Sequence, residues 1–162
     1  MTEGQSAEGI VTHALMLATA KRWFGELWST GAADVADEIV AQDYNPDWIQ
    51  IDKTGPEQVK HELRYFRSVF PDLTYRILDS STGTARIWVR YQGQGTHLGH
   101  AWGFEPTGKQ ATFEGVTILY FDEAGKIRDQ WGAFCFYEIF VELGLMHPNW
   151  ELSTLVQNLA GS

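Results

Sequence analysis

Basic residues, cysteine and long apolar runs are what this sequence has least of. Twelve Lys and Arg stand against twenty-one Asp and Glu, a formal net charge of -9. Such a surface repels phosphate backbones and anionic lipid headgroups, which argues against nucleic-acid and membrane partners. The single cysteine, Cys135, can form neither an internal disulfide nor a multi-cysteine metal site. That usage fits a reducing, cytoplasmic compartment. No stretch approaches the roughly 18 apolar residues of a membrane span, and the acidic start MTEGQSAEGI lacks the basic and apolar regions of an export signal.

Aromatic residues, by contrast, are abundant: seven Trp, nine Phe and six Tyr in 162 residues, the material of cores, pockets and interfaces. The length suits one domain over residues 1–162, which would bury about two thirds of its unfolded surface and needs no disulfide or metal staple.

Helical periodicity comes first. Val11, Leu15, Ala18, Trp23 and Leu27 recur at three- and four-residue steps, predicting an amphipathic helix over 8–28 that ends near Gly31. A short helix over 32–40 follows, then a break at Asn45-Pro46 and an extended piece over 48–52. Thr54, Pro56 and Glu57 read as N-cap, first-turn proline and capping-box acid of a helix reaching about Val69. Its apolar stripe is Val59, Leu63, Phe66 and Phe70, and Pro71 stops it.

The period then drops to two. Leu73, Tyr75 and Ile77 alternate with polar neighbours, and so do Ala85, Ile87, Val89 and Tyr91, with Arg86, Trp88 and Arg90 on the other face. Residues 112–121 and 127–135 flank a glycine-bearing loop, Asp122 to Lys126, as a β-hairpin. Tyr137 to Leu143 has helical spacing ending at Gly144, and 150–159 reads as a further short helix or a docked tail. Helices first and antiparallel strands after them predict an α+β fold with helices on one face of the sheet. Aromatics on both strand faces imply a bent sheet enclosing an apolar cavity for a small hydrophobic molecule. The outer face, Trp88 included, would then be covered in a homodimer.

Three segments, FPDL at 70–73, GTHLGHAWGFEPTGK at 95–109 and GKIRDQWGAFCFYEIFVELG at 125–144, resemble the SnoaL-like polyketide cyclases over residues 15–144. That family is similar to the wider nuclear transport factor 2-like group of ketosteroid isomerases, dehydratases and epoxide hydrolases. The resemblance implies a cone fold with a deep apolar pocket, commonly dimeric, and acid–base catalysis without a cofactor.

By that resemblance the general base falls on Asp129, which strand parity groups with Ile127, Trp131 and Ala133. A carboxylate on that apolar face would have a raised pKa and serve as a base near neutral pH; a surface carboxylate is the plain alternative. His97 matches a glycine-threonine-histidine segment of the family, as a proton shuttle or carbonyl-orienting group, against a histidine that merely bonds backbone. Glu114 is a secondary catalytic candidate whose face depends on hairpin register. Trp131, Trp102, Phe104, Phe134 and Phe136 are candidate pocket walls, with His100 a further substrate-binding candidate. His97 and His100 have no third ligand at fixed spacing, so no metal is expected. Cys135 and Gly132 stand where the family often has acids, and Asn45-Pro46 lacks a preceding histidine. Cys135 has no basic neighbour to activate it.

The leading expectation is a cyclase, isomerase or dehydratase acting by proton transfer on a hydrophobic, polycyclic or aromatic substrate. A hydrolase or hydratase on the same fold, and a carrier that binds without turnover, are the alternatives.

Overall fold

The computed structural model describes residues 11–46 and 51–147. Helix α1, His13–Lys21, is capped by Thr12, whose side chain accepts from the Leu15 N–H, and it runs directly into a π-helical turn, Arg22–Ser29. The wider turn brings Trp23, Phe24, Leu27 and Trp28 to the buried side together. Ser29 Oγ donates to the Phe24 carbonyl (2.6 Å) and accepts from Tyr75 N (2.8 Å), tying this helix to the first strand.

Helix α2, Val35–Ile39, is shorter than the spacing predicted. Helix α3, Gly55–Val69, starts and stops where the sequence placed it. The capping box does not form. Thr54 is extended at the N-cap position but makes no side-chain bond to the helix, and Glu57 pairs with Lys60 at 2.9 Å instead. The expectations for 48–50 and 150–159 lie outside the described residues.

Strands β1 (Thr74–Gly83), β2 (Arg86–Thr96), β3 (Gln110–Phe121) and β4 (Ile127–Phe134) form an antiparallel meander in the order β1-β2-β3-β4. The inner face carries Ile87, Val89 and Tyr91 of β2 and Ala111, Phe113, Thr117 and Leu119 of β3, all buried. Helix α4, Phe136–Glu142, follows β4 and ends at Gly144, which takes a φ of +74°. The layers are thus the α+β arrangement of a curved sheet packed on helices.

Register decides which side chains of β4 face inward. Phe121 pairs with Ile127, but Tyr120 then pairs with Asp129, so Arg128 is an extra residue in a β-bulge. The bulge reverses the alternation expected from sequence. Ile127, Gln130, Gly132 and Phe134 face inward, whereas Asp129 and Trp131 face out.

Two glycines keep the inner face from closing on itself. A Cβ at Gly93 would fall 2.4 Å from the Phe113 ring, and one at Gly115 would fall 2.5 Å from the Tyr91 hydroxyl. Both aromatic side chains lie close over the backbone of a neighbouring strand, and Tyr91 also packs on Phe24 at 5.1 Å. Gly93→Ala should therefore push the Phe113 ring inward and destabilise the fold by about 1–3 kcal/mol through overpacking. Urea unfolding of the two proteins measures this; an unchanged midpoint would contradict the packing described.

Candidate active site

Between the helices and the sheet lies a narrow cavity of about 70 Å³ that opens to solvent. Its walls are almost wholly apolar. Trp23, Phe24 and Trp28 come from the π-helical turn, Phe66 from α3, Tyr75, Tyr91 and Phe113 from the sheet, and Trp102, Phe134 and Phe136 stand with them. Trp102 sits at a φ of +53°, uncommon for a bulky residue, in the tight turn where Ala101 and Phe104 bond each other's backbone. From there its ring packs on Phe136 and Phe140 at 5.7 and 5.4 Å.

The carboxyl group in this wall is that of Glu62 in α3. It is only 3% exposed, and burial raises its pKa from 4.5 to about 7, a rise that the hydrogen bond from Gln58 Nε2 (3.2 Å) only partly opposes. Gln58 is itself fully buried, and its Oε1 has no partner among the described residues. Turning that amide would set the oxygen against a protonated Glu62, so one side chain can serve either protonation state.

A second polar group comes from the sheet. Tyr44, fully buried, donates from its hydroxyl to Gln130 Oε1 at 3.0 Å, and Gln130 Nε2 donates to Thr117 Oγ1 at 3.3 Å. Burial, and then the nearby Glu62 charge, hold the Tyr44 hydroxyl well above its usual pKa, so it stays a donor. Tyr91, pushed up to about 12 by burial, likewise stays neutral.

Of the residues expected from sequence, Trp102, Phe134 and Phe136 line this cavity. Asp129 does not. The bulge turns it outward, where it is exposed and accepts from its neighbour Gln130 N at 2.8 Å, so the burial on which its role as a base rested is absent. Trp131 turns out with it and is 51% exposed. Glu114 is also on the outer face, in an ion pair with Arg90 at 2.6 Å. His100 is exposed, 3.4 Å from Glu105, and Phe104 packs on Phe140 behind the cavity wall.

His97 is fully buried behind Phe70 and Trp102, with Nδ1 3.2 Å from Thr107 Oγ1 and Nε2 without a partner among the described residues. It does not line the cavity. Gly132 faces inward, where a Cβ would fall 2.9 Å from Thr117 Oγ1, and Cys135 is exposed. Among the described residues no group of three or more His, Cys, Asp or Glu converges as a metal-ligand set, and no helix is long and apolar enough to cross a membrane.

Sequence reasoning passed over Glu62 because it scored the apolar stripe of α3 and not its interruptions. The signal was present: Glu62 stands three residues after Val59, one before Leu63 and four before Phe66. An acid inside such a stripe must be buried.

Glu62 binds its proton more tightly folded than unfolded, so its contribution to stability is full below about pH 4.5 and is lost as pH rises through about 7. The loss is on the order of 3 kcal/mol. Glu62→Gln should abolish that decline and be the more stable protein at alkaline pH. Chemical unfolding across this range checks it, and parallel curves for the two proteins would contradict the burial argument.

A model of the SnoaL-like polyketide cyclase family matches residues 18–140. No curated protein sequence matches the chain at a significant level. Among solved structures the chain is similar to TsrD from Streptomyces laurentii, with 16% identity over 83% of this chain and 98% of that one and a TM-score of 0.76. It is also similar to a proposed SnoaL-like polyketide cyclase from Jannaschia sp. CCS1, at 17% identity over 90% and 99% of the two chains and a TM-score of 0.71. A SnoaL-like polyketide cyclase from Agrobacterium tumefaciens C58 has 18% identity over 80% and 95%, with a TM-score of 0.65. At such identities the structural likeness establishes the fold, a four-stranded curved sheet wrapped on helices.

Proposed function

The chain belongs to the SnoaL-like polyketide cyclase family, and on that footing we propose that it is a proton-transfer enzyme of cyclase or isomerase type, needing no cofactor, with Glu62 as its general base. The observation that carries this reading is a carboxyl group buried in an apolar cavity and poised at about 7. A base whose pKa lies near the working pH combines a usable ionised fraction with a strong pull on the proton.

The substrate is a small hydrophobic molecule, aromatic or polycyclic, carrying a carbonyl group. Glu62 takes a proton from the carbon next to the carbonyl; the C–H bonding pair moves into the enolate and the negative charge onto the carbonyl oxygen. The same carboxyl then returns the proton to a different carbon of the conjugated enolate, or the enolate carbon attacks a second carbonyl of the substrate, whose π pair moves onto its oxygen and takes the proton from Glu62 as the ring closes. Aromatic walls keep water from quenching the enolate and fix the reacting conformation. Asp129, His97 and Glu114, proposed as catalytic from sequence, stand outside the cavity wall, and Glu62 takes the role that the resemblance gave to Asp129.

Exchange of solvent deuterium into a simple aromatic ketone such as 1-tetralone, followed by NMR, tests this without the natural substrate. Glu62→Gln should slow exchange about a hundredfold or more, and Asp129→Asn should leave it within about twofold. Undiminished exchange in Glu62→Gln would refute the assignment. Incorporation of solvent oxygen into a product would move the reading to a hydrolase.

We also propose that the outer sheet face is covered by a second copy of the chain. In register, Trp88 and Trp131 flank Ile118 across three strands, and the two tryptophans are 44% and 51% exposed. The face carries both signs of charge, Arg86 and Arg90 as well as Glu114 and Asp129, so a two-fold axis can set opposite charges against each other. Sedimentation at micromolar concentration should give a dimer, and Trp131→Glu a monomer; a monomeric parent protein would contradict this.

A further inference from the structure

We propose that the Thr117 hydroxyl is the hydrogen-bond donor that receives the developing oxyanion of the substrate, with Gln130 and Tyr44 as the residues that aim it; this rests on the proton-transfer reading above.

The inference starts from the direction of the donor chain. A fully buried phenol must donate its hydrogen, and the acceptor that Tyr44 meets is Gln130 Oε1 at 3.0 Å. That contact fixes which end of the amide faces Tyr44, so Nε2 faces Thr117 Oγ1 at 3.3 Å and must donate to it. Thr117, 3% exposed, therefore has its oxygen engaged as an acceptor while its own hydrogen has no acceptor among the described residues. The three hydroxyl and amide groups run head to tail in one sense, and each donation strengthens the next. Thr117 is at the end of the run and lines the cavity that Glu62 lines from the helical wall.

Space around that hydroxyl is preserved by Gly132, since a Cβ there would fall 2.9 Å from Thr117 Oγ1. A neutral donor suits the task. It stabilises an anion that exists only after Glu62 has taken the proton, and it adds no charge to the cavity beforehand. The substrate class follows: a carbonyl compound whose oxygen reaches the sheet wall while its acidic C–H faces α3. Tyr91 is the rival donor, because it also lines the cavity and its hydroxyl makes no hydrogen bond among the described residues.

The test uses 2,4-dinitrophenol, ionised in water at about pH 6, against 2,4-dinitrotoluene, which has the same shape without the oxyanion. At that pH Glu62, at about 7, is mostly protonated, as it is after proton abstraction. The parent protein should bind the phenolate more tightly than the toluene. Thr117→Val should remove that preference, about tenfold or more, while leaving toluene affinity unchanged, and Thr117→Ser should retain it. Tyr44→Phe should lower the preference by a smaller factor. Equal binding of the two compounds by the parent protein, or a preference lost in Tyr91→Phe but kept in Thr117→Val, would overturn the donor assignment and leave the cavity reading standing. Binding of neither compound would overturn both.

Discussion

A carboxyl group removed from water must find a partner, a proton, or another place, and Glu62 is held where the first is incomplete. Its neighbours on α3 are Val59, Leu63 and Phe66, and the hydrogen bond it receives is a neutral one from Gln58. One amide donor does not replace a hydration shell, so the group holds its proton up to about pH 7. The surrounding fold maintains that balance. The π-helical turn packs indole and phenyl rings against α3, and the sheet holds its own aromatics back from the centre. A better-solvated Glu62 would be a weaker base, and a fully paired one would hold its charge at the cost of its reach for a proton.

The cavity exists because large side chains are folded down over glycine. Phe113 over Gly93 and Tyr91 over Gly115 leave the inner face of β2 and β3 lower than the residue types alone would give. The helices touch the sheet through Phe24 on Tyr75 and Tyr91, at 5.7 and 5.1 Å, and the space left beside that contact is lined by Trp102, Phe134 and Phe136 as well. A cavity assembled this way is stiff, since interiors pack near crystalline density.

Much of this was legible in the sequence. The change from helical to alternating periodicity after Phe70, the bounds of α3 and the loop between β3 and β4 all follow from local chemistry. The aromatic walls Trp102, Phe134 and Phe136 were found as well. The carboxyl group in the cavity wall was not, for two physical reasons. A single extra residue, Arg128, breaks the alternation of β4, so parity carried across it assigns Asp129 and Trp131 to the wrong face and hides Gln130. Bulges depend on pairing between strands and leave no mark in the spacing of one strand. Glu62 was legible and overlooked, because an acid in an apolar helical stripe is as informative as the stripe. The Tyr44–Gln130–Thr117 chain joins residues that are remote in sequence, and only the folded register brings them together.

One titration tests the buried carboxyl group directly. The carboxyl carbon of Glu62 can be followed by NMR from acid to alkaline pH in the folded protein and assigned by its absence in Glu62→Gln. A midpoint near 7 is the expected result. A midpoint in the ordinary glutamate range, about 4.3, would mean that the group is solvated or paired, and the cavity would have no base.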